Sequence, residues 1–250
     1  MARDVSRETS PAGPAGEVPP EAGSLFPGER LAQATRYADL LATAGVERGL
    51  IGPREVPRLW GRHLVNCAVL GEVVPEGSRV ADLGSGAGLP GLVLALARPD
   101  LEVTLVEPLL RRTTFLEEVV AELGLTRVEV VRGRAESLHG RRTFDVVTSR
   151  AVAPLPRLLE WSMPLVGPHG VMIAMKGSSA SEEIREAGPV LARLHCGAPE
   201  LVTIGAETPS ARTQVVRVSW AVPGQVGWRL ATRSRGGSDR GTRRGRRHRG

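Results

Sequence analysis

Residues 82–91 read Asp-Leu-Gly-Ser-Gly-Ala-Gly-Leu-Pro-Gly, and Glu107 closes the next apolar run. Gly84, Gly86 and Gly88 let a backbone fold tightly and leave room for a ligand where a side chain would stand. Glu107 ends the second strand of this unit, where a carboxylate can accept both hydroxyls of a ribose. A dinucleotide fingerprint, Gly-x-Gly-x-x-Gly, would require glycine at position 89, and Leu89 stands there instead. The strand–turn–helix–strand block therefore reads as a nucleoside-binding βαβ unit.

The spacing Gly-x-Gly-x-Gly, preceded by Asp82, resembles motif I of class I S-adenosylmethionine methyltransferases. That resemblance implies S-adenosyl-L-methionine as cofactor and makes positions just beyond the strands the site candidates. Ala135-Glu136 follows strand three, where such enzymes contact adenine: a backbone N–H can serve a ring nitrogen, and a carboxylate can accept from the exocyclic amine. Glu136 has a second reading, as a helix-start carboxylate favoured by the dipole. The end of strand four, Phe144 to Ala153, is where the target base would be presented. It has neither the Asp/Asn-Pro-Pro-Tyr motif of amino-methylating enzymes nor a Pro-Cys nucleophile. Arg150 stands there instead, and a guanidinium is never a useful base near neutrality, so it must position an anion or a carbonyl. This favours an acceptor atom that needs no deprotonation, a requirement that guanine N7 meets. Lys176, the only lysine beside 32 arginines, follows strand five and is a further catalytic candidate. His63 is a third, because its helix could turn it toward the cofactor cleft.

The elements that must carry these residues follow from periodicity. Helical spacing runs over 29–49 and roughly 56–70, ahead of the sheet. Strands are expected at 80–83, 101–106, 127–131, 144–149 and 171–175. Helices are expected at 90–98, 108–124, 154–165 and 181–194. Segments 201–204 and 215–220 can close the sheet as a terminal hairpin. Alternating strands and helices imply an α/β fold: a Rossmann-like, doubly wound, mostly parallel sheet with an N-terminal helical extension, binding ligands beyond the carboxyl ends of its strands. The expected division is a disordered leader (1–24), a helical subdomain (25–75), the methyltransferase domain (76–222) and an Arg/Gly-rich tail (223–250).

Composition narrows the function classes. Forty-one per cent hydrophobic residues suffice for a core. No apolar run reaches the roughly 18 residues of a membrane helix, and residues 1–24 lack a secretory signal's apolar centre. Cys67 and Cys196 are the only cysteines, so neither a disulfide framework nor a zinc site is supported, and the cytoplasm is the expected compartment. The net charge of +6 is carried by residues 231–250, whose eight arginines and one aspartate outweigh a near-neutral remainder. Such a tail attracts polyanions, ribosomal RNA being the obvious candidate.

A closer resemblance rests on residues 82–91, Arg112 with Phe115-Leu116, Arg134-Ala-Glu136, Ser149-Arg-Ala151 and Lys176-Gly177, in that order, together with Arg62-His-Leu64. Over roughly residues 30–220 the chain is similar to the bacterial small-subunit ribosomal RNA guanine-N7 methyltransferases, the glucose-inhibited division protein B family. The resemblance implies methylation of one guanine in the decoding-region loop of 16S rRNA; the expected partner is 16S rRNA or the small ribosomal subunit, and a monomer with no metal and no membrane is expected. It also implies cofactor contacts at Gly84, Leu89, Ala135, Glu136 and Arg150. Two segments differ: Leu50-Ile-Gly-Pro-Arg-Glu55 replaces the usual Trp-Asn…Asn-Leu-Thr, and His63-Leu-Val-Asn-Cys67 replaces His-x-x-Asp-Ser. A non-catalytic RNA-docking scaffold and a small-molecule methyltransferase are the alternative functions on the same fold.

Overall fold

Short β-branched and apolar runs bounded by Gly, Pro and Asp become strands because both their faces can be buried. In a computed structural model that describes residues 14–222, they are β1 (Arg79–Leu83), β2 (Glu102–Glu107), β3 (Val128–Arg132), β4 (Phe144–Arg150), β5 (Val166–Lys176), β6 (Glu200–Ile204) and β7 (Thr213–Ser219). They form one sheet in the order β3-β2-β1-β4-β5-β7-β6. The first five run parallel, and β7 is antiparallel to both β5 and β6. The α/β class I methyltransferase architecture is thus in place, with the expected terminal hairpin at one edge.

The sheet separates two apolar layers, and alternate residues of each strand feed one or the other. Val80, Val146 and Ile173 face the layer that holds α4 (Gly91–Ala97) and α5 (Leu110–Glu122). Ala81, Val147 and Met172 face α6 (Leu155–Ser162), α7 (Ala180–Glu186) and α8 (Gly188–Arg193). The single helix expected over 181–194 is in fact two. Pro189, at the first turn of α8, lacks the N–H that a continuous helix would need there. Strand β5 is longer than expected, because Phe144 pairs with Val166 across an irregular register.

The N-terminal helices cover the α4 face. They comprise α1 (Ala22–Leu25), α2 (Arg30–Leu40) running into a π-helical turn (Leu41–Gly45), and α3 (Asn66–Ala68). The stretch expected as one helix from 56 to 70 is irregular. It is 3-10 over Pro53–Arg58, π-helical over Leu59–Val65, and 3-10 again over Val69–Val73. Phe26, Tyr37, Leu41, Leu59 and Leu64 share one cluster with Leu92, Leu94 and Leu105, so this extension is packed onto the sheet's own core. Within the expected leader, residues 14–24 are also engaged: Ala15 and Ala22 are buried, and Ala15 N–H donates to Asp39. Residues 1–13 and the basic tail lie outside the described residues. No described helix is long and apolar enough to cross a membrane.

Candidate active site

The glycine turn after β1 is built by its neighbours. Gly84 and Ser85 N–H groups donate to the Val106 carbonyl at 2.8 and 3.2 Å, tying the turn to β2. Gly88 has φ +103°, and a Cβ there would lie 2.4 Å from Leu92 and 2.8 Å from the Tyr37 hydroxyl. Glycine is required at 88 by close packing on α2 and α4. The Tyr37 hydroxyl, fully buried, donates to the Ala87 carbonyl at 2.7 Å and so clamps the turn from the N-terminal helices.

Glu107 is 1% exposed. Its Oε2 accepts the Gly86 N–H at 3.0 Å and its Oε1 the Leu109 N–H at 3.1 Å, while Arg112 Nη1 lies 3.4 Å from Oε2. A carboxylate offers about four lone-pair sites. Three are in use here, which leaves Oε1 with one further acceptor site. A cleft of about 490 Å³ opens beside it, bounded among others by Gly84, Ala135, Glu136, Arg150, Val152 and Trp161. Arg157 stacks on Trp161 at 4.8 Å at this cleft.

The structure therefore gathers five sequence-predicted cofactor residues around one cleft: Gly84, Glu107, Ala135, Glu136 and Arg150. Asp82, Gly86, Gly88 and Leu89 stand behind it, among residues that do not bound it. Asp82 is completely buried and its Oδ2 accepts the Gly91 N–H at 3.0 Å, where it holds the start of α4. Burial pushes its pKa up to about 7, against the opposing Gly91 hydrogen bond. Gly86 presents its N–H to Glu107.

A second cleft of about 920 Å³ lies alongside, bounded by Arg58, Arg62, Asn66, Met175, Lys176 and Glu183 among others. Only Arg150, Ala151 and Val152 belong to both. This short divider leaves β4 through Ala151, which adopts the left-handed conformation at φ 54°. Val152 then lies over Gly84, with Cγ2 2.9 Å from where a Cβ on Gly84 would be. The divider is anchored at both ends. On one side Arg150 donates through Nη1 to the Arg62 carbonyl (3.3 Å) and Cys67 Sγ (3.2 Å), and through Nη2 to His63 Nδ1. On the other, Lys176 Nζ donates to the Ala153 carbonyl at 2.9 Å and to Glu183 at 2.7 Å, and Glu183 also accepts the Leu155 N–H at 2.8 Å. Burial works to raise the Glu183 pKa, but Lys176, Ser179 and the Leu155 N–H hold it below the usual carboxylate range.

His63 is 6% exposed and bounds neither cleft. Its Nε2 lies 2.9 Å from Glu55 Oε2. Burial, then the Arg150 charge, depresses its pKa, outweighing Glu55. Sequence reasoning did not single out Glu55, Val152, Arg157, Trp161 or Glu183. Arg157 and Trp161 carry a readable signal, a cation and an aromatic four residues apart on the helix after β4. Glu55 carries none, because its eight-residue offset from His63 is bridged by irregular helix. No group of three or more His, Cys, Asp or Glu among the described residues is placed to hold a metal ion.

The family described as rRNA small subunit methyltransferase G matches residues 30–206. A Nocardioides sp. protein named ribosomal RNA small subunit methyltransferase G is 64% identical over 241 residues, covering 96% of this chain and 94% of that protein. The Streptomyces coelicolor protein of the same name is 58% identical over 202 residues, covering 80% and 84%. Among solved structures, M. jannaschii TYW2 in complex with AdoMet shares the fold, with a TM-score of 0.50 at 15% identity over 62% of this chain and 74% of that one. With the family matched across most of its described length, this chain belongs to the rRNA small subunit methyltransferase G family, and it is a methyltransferase.

Proposed function

We propose that the chain transfers the methyl group of S-adenosyl-L-methionine to N7 of a guanine in the decoding-region loop of 16S rRNA. The observation that carries this reading is the divider: two clefts at the carboxyl ends of the parallel strands meet only at Arg150, Ala151 and Val152. One cleft suits the cofactor and the other an incoming base.

The residues of the smaller cleft fit a nucleoside. Leu83, Val106, Pro108 and Leu109 supply apolar walls for a purine, and Glu107 retains an acceptor site for a ribose hydroxyl. Its volume lies within the ordinary range for small-molecule sites. Bound there, the cofactor would supply an electrophilic methyl group on sulfur. Ala135 and Glu136 would serve the adenine edge, and Gly84 would lie alongside the chain that bears the sulfur.

The larger cleft fits RNA. Arg58 and Arg62 expose most of their side chains at its rim, where they can hold phosphates and position the strand without choosing a base. Its lysine is engaged with Glu183 and a carbonyl, so Lys176 shapes the divider and is not free to abstract a proton. Arg150 has five N–H donors, of which its hydrogen bonds to Arg62, Cys67 and His63 use three. The remaining two can steer a carbonyl or phosphate of the base-bearing nucleotide. Guanine N7 already presents a lone pair, so alignment with the methyl carbon at about 3 Å replaces base catalysis.

The test is tritium transfer from methyl-labelled cofactor to small subunits lacking the modification, followed by mapping of N7-methylguanine in 16S rRNA from cells with and without the gene. Label arriving at N7 of one decoding-region guanine is expected. Label on any other nucleotide, or on protein, would replace this reading.

A further inference from the structure

We propose that Glu55 is a positioning residue for methyl transfer, which acts through His63 to fix the Arg150 guanidinium where the two clefts meet. The proposal rests on the reading that transfer takes place at that junction.

The geometry leaves His63 a single productive state. An arginine only donates hydrogen bonds, so His63 Nδ1, which faces Arg150 Nη2, must be the unprotonated acceptor. The ring proton then sits on Nε2 and is donated to Glu55 Oε2 at 2.9 Å. Both ends of the ring are satisfied by one tautomer and by no other. The charged groups facing the ring are Glu55, Arg62 and Arg150, and burial with the Arg150 charge keeps it neutral. His63 is 6% exposed with Glu55 in place, so the carboxylate is the acceptor its Nε2 proton meets in the folded chain.

Arg150 in turn depends on this segment. All three of its hydrogen bonds go to residues between 62 and 67, on the π-helical turn and its continuation into α3. Each of those partners is neutral, so an undiminished charge is held in place without a carboxylate among them. If the ring took its other tautomer, an Nδ1 proton would be directed at a guanidinium that has nothing to accept it with. Arg150 would swing away, and the divider would lose its anchor on that side. Glu55 bounds neither cleft, and its path to Arg150 runs through the ring. Its Oε1 also meets Arg62 at 3.3 Å and Arg58 at 3.9 Å, which ties the relay to the arginines at the rim of the larger cleft.

The test joins a spectroscopic readout with a mutant cycle on the full chain. Ring nitrogen shifts of His63 are read without RNA, in the wild type and in Glu55→Ala and Glu55→Gln. Turnover on small subunits and calorimetric affinity for S-adenosylmethionine are measured alongside. In the wild type the shifts should report the Nε2–H tautomer. Glu55→Ala should mix the tautomers and lower kcat about tenfold, the scale of one hydrogen bond to a charged group, with cofactor affinity within about twofold. Glu55→Gln still offers an acceptor oxygen and should restore the tautomer and most of the turnover. In an Arg150→Lys background, Glu55→Ala should lose nothing further, since the group it orients is gone. Retention of the Nε2–H tautomer in Glu55→Ala overturns the proposal, as does a tautomer change that leaves kcat unaltered. An equal further loss in the Arg150→Lys background would make Glu55 merely structural and overturns it too. A wild type that transfers no label removes the underlying reading and this proposal together, an outcome distinct from the other three because the wild type is then inactive.

Discussion

Glu107 is where a single residue should decide cofactor affinity, because it holds the loop and keeps one acceptor site open toward the smaller cleft. Its two backbone acceptances shape the turn around Gly86 and the approach to α5. Replacement with alanine removes the remaining ribose acceptor as well, and should weaken S-adenosylmethionine binding by roughly 1.5 to 3 kcal/mol in calorimetry. Unchanged affinity would place the ribose elsewhere. Asp82, at the head of the same turn, has a different role and a different signature. Its folded pKa of about 7 stands above its ordinary value of 3.8. The folded state therefore keeps a proton that the unfolded chain releases, and stability should fall as pH rises from about 4 toward 7. Asp82→Asn keeps an acceptor for the Gly91 N–H and cannot titrate. Urea unfolding across that range should show a flatter pH dependence for the variant, and a parallel decline in both proteins would assign the slope to other groups.

At the scale of elements, the N-terminal helices are tied to the candidate site at two points, Tyr37 on the glycine turn and His63 on Arg150. Tyr37→Phe strands the buried Ala87 carbonyl and should lower the unfolding free energy by about 1 to 3 kcal/mol, read from the urea midpoint. An unchanged midpoint would mean that the carbonyl finds another donor. The parallel core was legible in the sequence because β1, β2 and β4 are short apolar runs with Gly, Pro or Asp at their ends. Glu107, Ala135-Glu136 and Arg150 were legible because each follows directly from a strand end. What stayed hidden has a common physical origin. Pro53, Pro57 and Gly61 interrupt the helical period, so the alternating 3-10 and π turns from 53 to 65 could not be phased, and the partnership of Glu55 with His63 could not be seen. Glu183 was invisible for a related reason: it meets Lys176 across a turn and a helix start, a distance set by folding and not by spacing. The contacts of Asp82, Gly88 and Lys176 could not be read in advance, because type and order show that a residue belongs near a site without showing which way it faces.

For the whole molecule, charge is divided between a basic tail and a near-neutral remainder. The eight arginines of residues 231–250, less one aspartate, give a local +7 that the rest of the chain lacks. Deleting them should spare cofactor affinity while weakening RNA binding and flattening its salt dependence, by up to about one unit of slope for each phosphate the tail had neutralised. An unchanged slope would show that the tail contributes nothing to RNA affinity. Selection of the base must then fall to the folded part, where the divider has a consequence for reaction order. Arg150, Ala151 and Val152 carry no nucleophile, so the wall between the clefts offers no place to store the methyl group between donor and acceptor. Both substrates must be in place together, and initial-rate plots should intersect as a sequential mechanism requires. The spent cofactor, S-adenosylhomocysteine, should compete with S-adenosylmethionine but not with RNA. Parallel lines would reveal a methylated enzyme species for which this wall offers no attachment point.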